Sequence, residues 1–167
     1  MRKALAIAGQ IVLYAAFAGF IALFSAWPQY HPLAPDQALI KLSFSHAGLL
    51  AQDCRRRSAE ELAKLPPNMR APMECPRERS PVRVQLALDG HTVAQRAVPP
   101  SGLAHDGAST LYERFVVPAG AHDLSVKFND SVRVPGFNYA REQRIELRPL
   151  QVLVIDFNPQ QGGILIQ

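Results

Sequence analysis

The 167-residue chain is 48% apolar and carries 18 lysines and arginines against 14 aspartates and glutamates, a formal net charge of +4. That length suits one modest domain. The arginines do not alternate with aromatic residues as a nucleic-acid stacking platform requires, and no G-x-S-x-G, H-E-x-x-H, phosphate-loop or CxxC pattern signals catalysis.

Residues 4–27, ALAIAGQIVLYAAFAGFIALFSAW, are twenty-four residues without a charge. As a helix they reach about 36 Å, enough for a hydrocarbon core of about 30 Å, so a single transmembrane helix is expected. A cleaved signal peptide is the rival reading, but its apolar part runs about 7–15 residues, and the exit Phe24-Ser25-Ala26 places a bulky side chain ahead of the cut. Arg2 and Lys3 precede the run and no lysine or arginine follows until Lys41. The charge bias puts residues 1–3 in the cytoplasm and the remainder across a bacterial inner membrane, in the periplasm. Trp27 and Tyr30 suit the far headgroup layer.

Ala4, Ala8, Ala15, Gly19, Ala22 and Ala26 recur at steps that share one helical face, while Gln10 and Tyr14 lie four apart. Ala15, Gly19, Ala22, Gln10 and Tyr14 are therefore candidates for contact with a helix of an integral membrane complex. The plain alternative is that any alanine-rich span shows such a stripe.

Pro28, Pro32 and Pro35 make residues 28–36 a stiff, extended linker. From residue 37 an exported domain begins, and Ala38, Ile40, Leu42 and Phe44 alternate with outward positions as in a half-buried strand. Residues 46–80 then form an insert. In it Ser58-Ala59-Glu60-Glu61 is a capping box for a short helix ending at Pro66-Pro67.

Cys54 and Cys75 flank that helix. Joining them closes a loop of about 22 residues, worth about 3 kcal/mol in chain entropy, and pins a segment with little core of its own, so a disulfide is expected. The alternative is a copper-binding metallochaperone: Met69, Met73 and Cys75, with Cys54 or His46, supply the sulfur and imidazole that Cu(I) accepts. Pro72 prevents helical convergence of the methionines, and a metal would take the cysteines from the staple. The insert also holds Arg55, Arg56 and Arg57, which suit an acidic protein surface or anionic headgroups unless they pair internally.

Val82, Val84, Leu86 and Leu88 alternate up to Asp89-Gly90, a tight-turn pair, and residues 91–98 return as a partner strand. After PPSGLAHDGAS, residues 111–117 and the strand with Leu124, Val126 and Phe128 read as a second hairpin around PAGAH. Ile145 and Leu147 open a final section interrupted by Pro149, and residues 152–157 and 164–166 close it around NPQQGG. His105-Asp106, near Ser101 and Ser109, is a chance juxtaposition in a polar glycine loop rather than a triad.

Many short strands and one soluble helix predict a mainly β chain, an antiparallel immunoglobulin-like sandwich that lacks the Cys-Trp-Cys hallmark. The segments "LDGHTV" and "RFVVPAGAHDLSVKF" resemble PEGA-type surface β-domains, in which a glycine hairpin precedes a PxGxHxLxV turn and strand; the likeness spans residues 84–128. The resemblance implies an interaction or scaffold module without catalytic residues. The sequence thus predicts a membrane-anchored, non-catalytic accessory or assembly subunit of a larger membrane or envelope complex, respiratory complexes among the candidates. It needs no cofactor or small-molecule substrate, and its partners are that complex and the bilayer.

Overall fold

The structure is a computed structural model that describes residues 2–27 and 32–167. The headgroup placement expected for Tyr30, and the first part of the linker, fall on residues 28–31 and lie outside the described residues. The chain divides into two units, Met1–Ala34 and Pro35–Gln167.

In the first unit α1 (Arg2–Ala26) is a helix of 25 residues. It is long and apolar enough to cross a membrane. Beyond Lys3 it carries no charged residue, so it has no polar face to offer water. The side chains of Gln10, Tyr14, Ala15, Gly19 and Ala22 are exposed.

The second unit holds β1 (Gln37–His46), β2 (Arg55–Arg56), α2 (Ala59–Lys64), β3 (Met73–Glu74), β4 (Val82–Leu88), β5 (His91–Val98), β6 (Ser109–Pro118), β7 (Gly120–Asn129), β8 (Tyr139–Leu147), β9 (Val152–Asn158) and β10 (Gly163–Ile166). Two four-stranded sheets, β10-β9-β1-β6 and β5-β4-β7-β8, face each other, and β2 and β3 form a separate ribbon in the insert. Period-two alternation decides what lies between the sheets. Ile40, Leu42 and Phe44 meet Val84, Leu86, Leu124, Val126, Phe128, Ile155 and Phe157 in one core. Each such side chain contributes about 1.5–3 kcal/mol by leaving water.

The mainly β sandwich, the capped insert helix and the Cys54–Cys75 disulfide all follow the sequence expectation. Three features differ. β1 pairs antiparallel with β6 but parallel with β9, Leu39 opposite Val152 and Leu42 opposite Ile155. β6 and β7 are not a hairpin: β6 pairs with β1 and β7 with β4 and β8, so the chain crosses between sheets at Pro118-Ala119-Gly120. Pro118 has no amide to donate, Gly120 takes φ +131, and the Ala119 amide donates to the Asp36 carbonyl. Alternation records which face of a strand is buried, not which sheet it joins.

The third difference is β8, which begins at Tyr139 rather than near Ile145. Its inward row includes Arg141 and Gln143, since Arg141 lies opposite the core residue Val126 and Gln143 opposite Leu124. The polar residues hid the strand. Arg141 spans the gap between sheets to donate to the Ile164 carbonyl of β10 at 2.8 Å. On the other open side Arg96 and Glu113 occupy the inward positions opposite Val84 and Leu42 and pair at 2.6 Å. Inward charges of this kind make an edge strand a poor template for another chain.

The connections are sorted by length. Tight ones, at Asp89-Gly90, 118–120 and 148–151, cluster at the end where β1 starts. The three long ones, 47–81, 99–108 and 130–138, all lie at the end where β1 finishes, joined there by the four-residue turn 159–162. β1 is ten residues long, which at about 3.3 Å per residue separates the two ends by about 33 Å.

Candidate interaction site at the long-loop end

The three long loops are cross-bonded. Gly48, just past β1, lies so close to the start of β4 that a Cβ there would sit 2.2 Å from the Ser80 carbonyl oxygen. The Ser80 amide donates to Leu49 O and the Leu49 amide to Asp130 O, each at 2.8 Å. Arg79 ties the base of the insert to the 99–108 loop: its Nη1 donates to Gly48 O at 3.0 Å and its Nε to Asp106 O at 2.9 Å. Its own amide reaches His105 O. Arg77 pairs with the Asp106 carboxylate at 3.0 Å. An open cleft of about 300 Å³ lies here between Leu50, Cys75, Arg77, Arg79 and Asp106.

Beneath the loops the carboxylate of Asp130, 3% exposed, accepts from Asn138 Nδ2 at 2.7 Å and faces His46 Nε2 at 3.0 Å. The His46 ring sits 4.8 Å from Phe157, which stacks on Phe128 at 3.8 Å. Burial, with the Asp130 charge adding to it, pushes the Tyr139 phenol up from its ordinary pKa. Asn129 Nδ2 and Arg83 Nη2 both donate to the carbonyls of Val134 and Gly136, which fixes the 130–138 loop. Fixed backbones leave Leu49, Leu103, Val132 and Val134 exposed around this end.

In the insert the Ser58 hydroxyl accepts from the Glu61 amide at 3.2 Å and Glu61 accepts from the Ser58 amide at 2.7 Å, the reciprocal cap read from the sequence. Arg55 pairs with Glu61 and Glu74, and Arg57 with Glu74. The Arg55 hydrogen bond holds the Glu61 carboxyl below its usual range. No residue from 51 to 79 is buried, so the disulfide, the cap and these pairs hold the insert in place of a core.

The sequence-derived candidates thus separate. Of the three arginines Arg55 and Arg57 are committed internally, and the Arg56 guanidinium has no ion-pair partner among the described residues. His46 is engaged by Asp130, and Cys54 and Cys75 are bonded to each other, which removes both thiolates from the copper set in this state. Met69, in a 3-10 turn (Pro67–Met69), and Met73, on β3, are exposed. Among the described residues no three His, Cys, Asp or Glu side chains gather as a metal site. Ser109 donates to Val98 O, and Asp106 faces Arg77 rather than His105. Sequence reading missed Gly48, Arg79, Asp130 and Asn138, whose partners lie far along the chain. The one local signal was the polar pair Asn129-Asp130 closing an apolar strand.

No protein-family model matches the chain, and neither a curated protein nor a solved structure matches it. The PEGA-type resemblance of residues 84–128 therefore remains a likeness of turn and strand.

Proposed function

We propose that the protein is a bitopic, non-catalytic accessory or assembly subunit of a larger complex in a bacterial inner membrane. In this reading α1 stays in the bilayer with its N-terminus in the cytoplasm, and the sandwich works in the periplasm. The apolar helix and the disulfide support export, since thiols are kept reduced in the cytosol.

The observation that carries the docking reading is the sorting of connections. Long, cross-bonded loops with exposed Leu49, Leu103, Val132 and Val134 gather at one end of the sandwich, the arrangement by which a rigid scaffold presents a binding surface. Arg56 adds a cation at the same end. That end lies about 33 Å along β1 from where the linker joins the sandwich. Ala15, Gly19, Ala22, Gln10 and Tyr14 supply the second contact, helix against helix within the membrane.

The test is recovery of the chain from native membranes at native expression in mild detergent. A defined membrane protein should co-migrate, and Leu103→Asp with Val132→Asp should lower its recovery about tenfold or more while the sandwich stays folded. Recovery of the native chain alone, or undiminished recovery with the double variant, would overturn the reading. A reporter fused after Gln167 should be active only on the periplasmic side.

A further inference from the structure

The insert ribbon sets three sulfur atoms on one face. Arg55 lies opposite Glu74 and Arg56 opposite Met73, and one step back along the ladder Cys54 bonds to Cys75. Residues directly opposite in an antiparallel pair project to the same side, and neighbours along a strand alternate. One face therefore carries the Arg55–Glu74 ion pair, and the other carries Cys54, Cys75, Met73 and Arg56. Met69, in its own turn, and His46, bonded to Asp130, stand outside this set.

We propose that reduction of the Cys54–Cys75 bond turns this face into a Cu(I) site made of two thiolates and the Met73 thioether. The reductant is a protein dithiol: one S–S bond breaks here and one forms in the reductant, whose two hydrogens pass to Cys54 and Cys75. Cu(I) then binds without changing oxidation state and displaces two protons to solvent. Thiolate and thioether are the donors that a soft monovalent ion selects. The resulting complex is anionic, and Arg56, whose guanidinium makes no ion pair among the described residues, is a cation on the same face.

Access and compliance both favour this chemistry. Cys75 and Met73 are exposed and Cys54 is half-buried, so a dithiol and then a metal can reach the sulfurs from solvent. With no buried residue between 51 and 79, the ribbon can adjust to metal–sulfur bonding without disturbing the packed sandwich. The disulfide acts as the gate: closed, it withholds both thiolates, and opened, it releases them beside Met73.

The experiment uses the full chain in detergent, reduced with a phosphine that is then removed, and mixed anaerobically with the coloured Cu(I)–bicinchoninate complex. The reduced chain should withdraw about one equivalent of Cu(I) and the oxidised chain none. Met73→Leu should weaken binding about tenfold or more, and Met69→Leu should leave it unchanged. Cys54→Ser combined with Cys75→Ser should abolish it, with far-ultraviolet circular dichroism confirming that each variant keeps its strands. The site is overturned if the reduced native chain takes no Cu(I), or if Met73→Leu competes as well as the native chain. It rests on the ribbon alone, so a chain that co-purifies with a membrane partner yet ignores Cu(I) loses the metal site and keeps the docking role.

Discussion

Single residues fix both ends of the sandwich. At the tight-turn end, His122 has Asp89 Oδ2 at 2.7 Å from Nδ1 and the Pro118 carbonyl at 3.0 Å from Nε2. Both partners accept, so only the imidazolium donates to both, and the neutral ring loses one bond. The Asp89 hydrogen bond raises the His122 pKa above 6.5 against the pull of burial, with Glu146 adding to the rise. The same bond holds the Asp89 carboxyl below 3.8. A raised folded pKa gives stability that is complete below about pH 6.5 and fades as pH climbs through the folded value. The Asp89 contribution has the opposite sense, present above 3.8 and lost as pH falls through the lowered value. The urea midpoint of the native chain should therefore fall between about pH 6 and about pH 8, and His122→Gln should flatten that slope. Equal slopes in both would show that the pair is not the source. At the other end, Gly48→Ala forces a Cβ against the Ser80 carbonyl oxygen, which is backbone and cannot swing away. It should cost about 1–3 kcal/mol in a denaturant titration; an unchanged midpoint would mean that the two segments are free to separate.

Among the elements, the insert is the one held without a core. Closing a loop of about 22 residues restricts the unfolded chain by about 3 kcal/mol when the loop folds together with the rest. Here no residue from 51 to 79 is buried, so the insert can open while the sandwich stays packed. Cys54→Ser with Cys75→Ser should expose the Lys64–Arg70 stretch to trypsin and shift the global unfolding midpoint by less than about 1 kcal/mol. A shift of the full loop-closure size would show that insert and sandwich unfold as one. The contrast with β8 is instructive. Its Arg141 and Gln143 look wrong for a strand with one face buried, and they are tolerated because β8 is an edge, where an arginine can reach from the inward row to the Ile164 carbonyl.

At the scale of the whole molecule, eight strands in two sheets turn a chain with few long-range sequence cues into an object with two unlike ends. Parallel pairing of β1 with β9 places the β9–β10 turn at the end where β1 finishes, so four separated segments share that end. The seams that would otherwise lie open carry Arg96 with Glu113 on one side and Arg141 with the Ile164 carbonyl on the other. Three of the four edge strands, β5, β6 and β8, thus carry an inward charge that makes them poor templates for strand addition. The co-migration test with Leu103→Asp and Val132→Asp addresses the long-loop end, since both side chains are exposed and their loss removes contact area without opening the core.

The amino-acid sequence by itself determined whatever is local. An uncharged run long enough for a bilayer, period-two alternation, the Asp89-Gly90 turn and the Ser58–Glu61 cap each act within one helix turn or strand pair, where neighbours in sequence are neighbours in space. The cysteines were legible for a different reason: the sequence holds only these two, they flank a segment with little core of its own, and an exported domain lets them bond. Only the tertiary structure decided that β6 and β7 part company, that β9 runs parallel to β1, and that Arg79 and Asp130 hold the loops. Those contacts join residues tens of positions apart, and alternation is blind to them: it states that a side chain points inward and leaves open across which partner it packs.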